Sequence, residues 1–216
     1  MTGNVIRSTM LYLAASPLIY LRLQSEIDTA ISSGRASTPI AYNEAKALTY
    51  LQAVIYEGIR IHPPNFSLTS KRVPSEGDTL HGQFVPGGTE IAQNSWSLLR
   101  NEGIFGKDVD VFRPERFLEV DKEKRVEMER VTELLFGYGR WMCPGKFIAF
   151  LEISKVVFEV STTKSLFVWA GCCCEIFDEH VEMELTDVEF DSCFASSTFR
   201  SLTQRLRGRR GSTACF

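Results

Sequence analysis

Apolar residues recur at helical spacing at the start of the chain. The opening segment carries Val5 and Leu13 on an apolar stripe, and no N-cap residue precedes it. This pattern is typical of a helix that has been cut midway. Ser16 followed by Pro17 has the form of a helix cap with a first-turn proline, and the helical pattern after it runs to Gly34. We therefore expect two consecutive helices at this end.

The pattern then changes four times along the chain. Helical spacing over 44–61 predicts one long helix, which the sequence His-Pro-Pro ends. Short extended runs separated by glycine turns over 66–94 predict a small antiparallel sheet. Residues 98–133 read as irregular, with a charged and solvated stretch at 121–130. Residues 145–160 leave almost no polar face, so we expect a helix in a core.

Composition excludes several classes of protein. With 216 residues, 44% of them hydrophobic, the chain can bury a core, and a net charge of -3 gives no general attraction to nucleic acid. Six scattered cysteines are too few for a disulfide scaffold, and we interpret them as reduced. The longest apolar run, 166–174, is too short to cross a bilayer. Adjacent Cys172, Cys173 and Cys174 lack the spacing of zinc ligands, so we do not interpret them with His180 as a metal site.

One loop carries the chemistry. Residues 136–145 read Phe-Gly-Tyr-Gly-Arg-Trp-Met-Cys-Pro-Gly, so that Cys143 stands just before the apolar helix. The N-terminal end of a helix stabilises an anionic sulfur, and the glycines let a large flat ligand approach the backbone. Phe136 can pack beside that ligand. The loop therefore makes Cys143 a candidate metal ligand.

This loop resembles that of the cytochrome P450 family, Phe-x-x-Gly-x-Arg/His-x-Cys-x-Gly, at Phe136, Gly139, Cys143 and Gly145. The resemblance implies that Cys143 ligates a haem iron through its thiolate. It covers residues 2–160 and is closest to fungal members. It also implies a fold that is mainly α with a small antiparallel β-sheet, corresponding to the C-terminal half of the family fold.

Two more motifs support the resemblance. Glu57 and Arg60 stand three apart, on one face of a helix, and resemble the family's Glu-x-x-Arg motif. The segment Pro-Glu-Arg-Phe resembles the one whose arginine, here Arg116, completes a buried network with that pair. The resemblance implies a structural role for all three residues, because a bidentate arginine can satisfy a buried carboxylate.

The resemblance also suggests how the acidic side groups of haem are bound. Arg72 stands where family members hold an arginine for a haem propionate. The position two before the cysteine, usually arginine or histidine, is Trp141, and we expect the neighbouring Arg140 to supply the charge.

The ends of the chain depart from the family. Met1 aligns with the threonine of the family's oxygen-activation motif, so we expect a truncated chain that retains no catalytic residue beyond the haem ligand. Residues 1–160 form the predicted family-like partial domain, and 161–216 an unrelated tail without a fixed fold. The tail's basic end lacks interleaved aromatic residues, so we expect no nucleic acid as a partner.

The function implied by the resemblance is that of a haem-thiolate monooxygenase, which inserts one oxygen atom from O2 into a small organic substrate. Its electrons would come from NADPH through a reductase. The alternative is a non-catalytic remnant that binds haem or a partner without turnover. Family members of this type sit on the endoplasmic reticulum through an N-terminal helix; this sequence shows none, which leaves a cytoplasmic location as the expectation for the chain.

Overall fold

Helices make up most of the part of the chain that the structure describes. The computed structural model describes residues 1–64 and 70–163. The helices of these ranges are α1 (Thr2–Ala14), α2 (Pro17–Ser32), α3 (Tyr42–Ala47), α4 (Thr49–Ile61), α5 (Ser95–Leu98), α6 (Glu102–Phe105), α7 (Lys122–Glu133) and α8 (Lys146–Thr162). Three short 3-10 helices lie at Pro114–Phe117, Leu134–Phe136 and Gly139–Trp141.

Four short strands within residues 70–163 form two antiparallel pairs. They are β1 (Lys71–Arg72), β2 (Asp78–Leu80), β3 (Gln83–Val85) and β4 (Glu90–Ile91). Strand β1 pairs with β4, with Arg72 opposite Glu90, and β2 pairs with β3 around the turn at residues 81–82. The prediction of a mainly α fold with a small antiparallel sheet is confirmed.

The core lies where α1, α2, α4 and α8 pack together. Each contributes an apolar stripe with no exposed surface, represented by Leu13 of α1, Leu23 of α2, Ile55 of α4 and Val157 of α8. On α4, Gly58 faces Thr9 of α1, and a Cβ at residue 58 would lie 2.1 Å from the Thr9 hydroxyl oxygen. A side chain there would push the two helices apart.

The predicted helix over 44–61 is wrong in one respect, because Leu48 interrupts it. Leu48 has extended backbone angles (φ -83°, ψ 101°) and separates α3 from α4. The carboxylate of Glu26, on α2, accepts hydrogen bonds from the backbone N–H groups of Tyr50 and Leu51, both at 2.9 Å. This cap comes from another helix and satisfies donors that a new helix start leaves unpaired.

The prediction of an irregular stretch over 98–133 also needs correction. It includes α6, the 3-10 helix Pro114–Phe117 and the three-turn helix α7, whose N-cap Asp121 accepts from the N–H of Lys124 at 2.7 Å. Charged residues cover most of α7, as expected for solvated surface, but Met128 and Thr132 are buried. Spacing of only two buried positions is too weak a signal to predict a helix from sequence.

Helix α8 is only partly enclosed, although its sequence suggests a core helix. Phe150 and Phe158 are buried, whereas Phe147 is 65% and Ile148 60% exposed. Among the residues that the structure describes, no helix combines the length and apolarity needed to cross a membrane. The predicted tail lies outside the described residues from 164 onward, and its division from the first 160 residues stays a prediction.

Candidate cofactor site

A buried ion-pair network joins α4 to the 3-10 helix Pro114–Phe117. Nε and Nη2 of Arg60 donate to the two carboxylate oxygens of Glu57, at 2.7 and 2.9 Å. Arg116 Nε donates to Glu57 Oε1 at 3.1 Å, and the backbone N–H of Arg113 donates to the same oxygen at 2.8 Å. Glu57 and Arg60 are fully buried and Arg116 is 2% exposed. Water cannot replace a lost partner here, so removing one member leaves an unpaired buried charge.

The two arginines of this network also fix the backbone of the segment that crosses them. Arg60 Nη1 donates to the carbonyl oxygens of Leu99 and Val109, at 3.0 and 2.7 Å. Arg116 donates to the carbonyl oxygens of Phe105, at 2.5 Å, and Val111, at 2.9 Å. Apart from α6, the chain between α5 and the 3-10 helix forms no helix or strand. Hydrogen bonds from these two side chains therefore hold its backbone in place.

Asp108 completes the network at its solvent side. Its carboxylate accepts from Arg116 Nη1 at 2.9 Å and from Arg113 Nε at 2.6 Å. Desolvation opposes ionisation, but the hydrogen bonds from Arg113 and Arg116 outweigh it and lower the pKa of the Asp108 carboxyl below its usual value. Asp108 thus balances the second positive charge that Glu57 alone cannot neutralise.

The loop that carries Cys143 is held in a tight turn. Gly137 has φ +78°, and a Cβ there would lie 2.5 Å from the Trp141 carbonyl oxygen, so this position requires glycine. The N–H of Cys143 donates to the carbonyl oxygen of Phe136 at 2.6 Å, which closes the loop. Cys143 is partly buried, and a Cβ at residue 145, the N-cap of α8, would lie 3.7 Å from its sulfur. The sulfur therefore lies at the N-terminal end of α8, where negative charge is favoured.

Aromatic rings connect this loop to α4. The Phe136 ring lies 5.6 Å from that of Phe150 on α8, and Phe150 lies 5.4 Å from Tyr56 on α4. Tyr56 directly precedes Glu57. The loop and the buried network therefore share one rigid support.

Cys143 and Phe136 line a cavity of about 800 Å3. Val5 of α1, Ile153 of α8 and Ile91 of β4 contribute apolar walls. A soft sulfur donor among apolar walls suits a flat, mainly apolar group that carries iron. The chemistry of these donors therefore fits a haem.

The other residues predicted to bind the cofactor lie in different places. Gly145 lines the cavity, whereas Arg72, Gly139 and Arg140 are not among its described lining residues. The Arg72 side chain is 72% exposed and its Nη2 lies 3.2 Å from Glu90 Oε1. The neighbouring Lys71 does line the cavity.

Two cations lie against the ring of Trp141, which lines the cavity. Lys71 Nζ lies 4.4 Å from the centroid of the Trp141 ring, and Arg140 Cζ lies 5.0 Å from it. Lys71 could not be identified from the sequence, because a strand of two residues has too little alternation to show which side chain faces the cavity. Asp108 could not be identified either, because an acidic residue eight positions before Arg116 has no characteristic spacing.

Comparisons with known proteins identify the family. The family model of cytochrome P450 matches residues 2–160. The cytochrome P450 monooxygenase aba1 of Botryotinia fuckeliana is 51% identical over 159 residues, which cover 74% of this chain and 31% of that protein. The cytochrome P450 monooxygenase ABA1 of Pyricularia oryzae is 47% identical over 209 residues, covering 95% and 38%. Pisatin demethylase of Fusarium vanettenii is 33% identical over 178 residues, covering 80% and 33%.

The chain therefore combines a mainly helical fold with a cysteine loop and a buried Glu-Arg-Arg network. The chain belongs to the cytochrome P450 family. It spans about a third of the length of the curated relatives it matches. The alignment with the Pyricularia protein covers more of the chain than residues 2–160, so it includes part of the C-terminal segment.

Proposed function

We propose that this chain forms the cysteine side of a haem-thiolate monooxygenase site, in which Cys143 would hold the iron through its thiolate. The observation that carries the proposal is the position of the Cys143 sulfur, in the wall of a large apolar cavity and beside the N-terminal end of α8. A bound haem would supply activation of dioxygen, since a thiolate ligand favours cleavage of the O–O bond.

The chain's own residues have distinct roles in this proposal. The Phe136 side chain lines the cavity, where it can pack against the haem ring, and its backbone carbonyl oxygen accepts a hydrogen bond from the N–H of Cys143. Phe136 therefore fixes both the surface that contacts the haem and the position of the sulfur. Gly145 keeps the space beside the sulfur free of a side chain. Gly139 takes a left-handed conformation (φ +58°) that shapes the loop without contacting the cavity. Glu57, Arg60 and Arg116 hold the support beneath, as a structural network.

Charge for the haem propionates comes from cations near Trp141. We propose Lys71 as the principal partner, because it lines the cavity, and Arg140 as a second, because both lie against the same ring. Arg72 could reach a propionate only by giving up Glu90, its partner across the β1–β4 pair. Loss of an exposed pair of this kind costs at most about 1 kcal/mol, so Arg72 stays in the proposal as a weaker candidate.

The whole activity requires two partners. The proposed reaction inserts one atom of O2 into a small organic substrate and reduces the other atom to water. The two electrons come from NADPH through a reductase. Membership in a family that is generally membrane-associated supports an endoplasmic reticulum location for the complete enzyme.

Reconstitution tests the proposal. The purified chain is titrated with haem, then supplied with NADPH, a reductase and 18O2, and organic products are analysed by mass spectrometry. One 18O atom in a product, with none from labelled water, is the expected outcome for a monooxygenase. Stoichiometric haem binding without any labelled product would favour the alternative, a haem-binding remnant without turnover. Failure to bind haem would contradict the proposal and leave only the other form of the alternative, a remnant that binds a partner.

A further inference from the structure

An ion pair joins the two ends of the segment that contains Cys143. We call residues 134–145 the Cys143 loop. Glu133, the last residue of α7, precedes the loop, and Lys146, the first residue of α8, follows it. Lys146 Nζ donates to Glu133 Oε2 at 2.7 Å, and the side chains are 16% and 32% exposed. The pair therefore closes the loop at its base and is shielded from most of the solvent.

The charges of this pair are arranged against the preference of their own helices. The C-terminal end of a helix favours positive charge and the N-terminal end favours negative charge. Here Glu133 stands at the C-terminal end of α7 and Lys146 at the N-terminal end of α8. Helix stability therefore does not explain the pair, whereas closure of the Cys143 loop does.

A third residue ties the pair to the core. The Tyr56 hydroxyl donates to Glu133 Oε1 at 2.8 Å. Burial, followed by the charge of Glu133, raises the pKa of Tyr56, so its hydroxyl remains a donor. Tyr56 lies beside Glu57 on α4 and also contacts the Phe150 ring. One carboxylate thus receives a donor from the buried support and a donor from the far end of the loop.

We propose that Tyr56, Glu133 and Lys146 form a clamp that fixes the ends of the Cys143 loop and thereby positions the thiol. They are positioning residues, since none of them carries the sulfur. This inference rests on the proposed function only for its consequence, the orientation of a haem ligand. The clamp itself can be tested on the chain without haem.

Amide hydrogen exchange of the full chain provides that test. Glu133→Gln removes the charge at constant shape, and Glu129→Gln is the matched control, because Glu129 pairs with Arg125 at 2.7 Å on the same helix without spanning a loop. We expect the 134–146 peptide to exchange roughly threefold to fivefold faster in Glu133→Gln and unchanged in the control. Peptides of α4 should not change. Equal acceleration in both variants, or acceleration of α4 together with the loop, would overturn the clamp.

Reversal of the charges separates positioning from general stability. The double variant Glu133→Lys with Lys146→Glu restores an ion pair with the two signs exchanged, but it leaves the Tyr56 hydroxyl without its carboxylate acceptor. We therefore expect exchange of the loop to be slower than in Glu133→Lys alone and still faster than in the native chain. Exchange as fast as in Glu133→Lys alone would contradict the clamp. With haem bound, Glu133→Gln should lower the share of the ferrous carbon monoxide complex that shows the red-shifted thiolate band. If the native chain takes up no haem, the proposed function fails while the exchange result still decides the clamp.

Discussion

Arg116→Met removes one guanidinium from the buried network and leaves an unbranched apolar side chain that is two atoms shorter. Arg116 donates five hydrogen bonds to described residues. Two go to side-chain carboxylates, those of Glu57 and Asp108, and three go to the backbone carbonyl oxygens of Phe105, Asp108 and Val111. A simple sum would exceed about 7 kcal/mol, since hydrogen bonds to charged groups contribute roughly 1.5–3 kcal/mol each. Such values are not additive. Deletion of one partner from a buried pair costs about 3–5 kcal/mol, which is our expectation.

Arg113→Met is the matched control. Arg113 belongs to the same network, but its side chain is 35% exposed and pairs with Asp108 and Glu119 at the surface. Its contact with Glu57 uses the backbone N–H, which methionine keeps. We therefore expect a loss of only about 0.2–1 kcal/mol. Urea unfolding followed by circular dichroism measures both. Equal losses, with unchanged dependence on urea concentration, would refute the assignment of the buried charge as the main contribution.

Three further predictions follow from the site. The pKa of Asp108 is lower in the folded chain than in the unfolded chain. The ionised carboxylate therefore stabilises the fold above the unfolded pKa of about 3.9, and this contribution is lost as the pH falls through the folded pKa. The difference in unfolding free energy between the native chain and Asp108→Asn should shrink below about pH 4. Gly137→Ala should destabilise the loop by about 1–3 kcal/mol, seen as a lower melting temperature, and an unchanged temperature would contradict the close approach to Trp141. Lys71→Gln should weaken haem binding by roughly twofold to fivefold in a spectral titration and Arg72→Gln by less; the reverse order would restore Arg72 as the propionate partner.

The residues that could be predicted from sequence are those with fixed spacing. Glu57 and Arg60 are three apart on one helix, so their contact is a local property of α4. The glycines around Cys143 likewise indicate, from the sequence alone, that the loop turns tightly. By contrast, the break at Leu48 depends on Glu26, which reaches α4 from another helix. Glu133 and Lys146 are thirteen positions apart, and nothing in the residues between them indicates that the two side chains meet.

The most direct test of Cys143 as the haem ligand is the absorption spectrum of the haem-loaded chain after reduction and exposure to carbon monoxide. Two variants are compared: Cys143→Ala, and a chain in which the other five cysteines are replaced together and Cys143 is kept. We predict the red-shifted Soret band of a thiolate-ligated ferrous complex in the native chain and in the second variant, with loss of that band in Cys143→Ala. A band that survives Cys143→Ala, or that never forms in the native chain, would contradict the assignment.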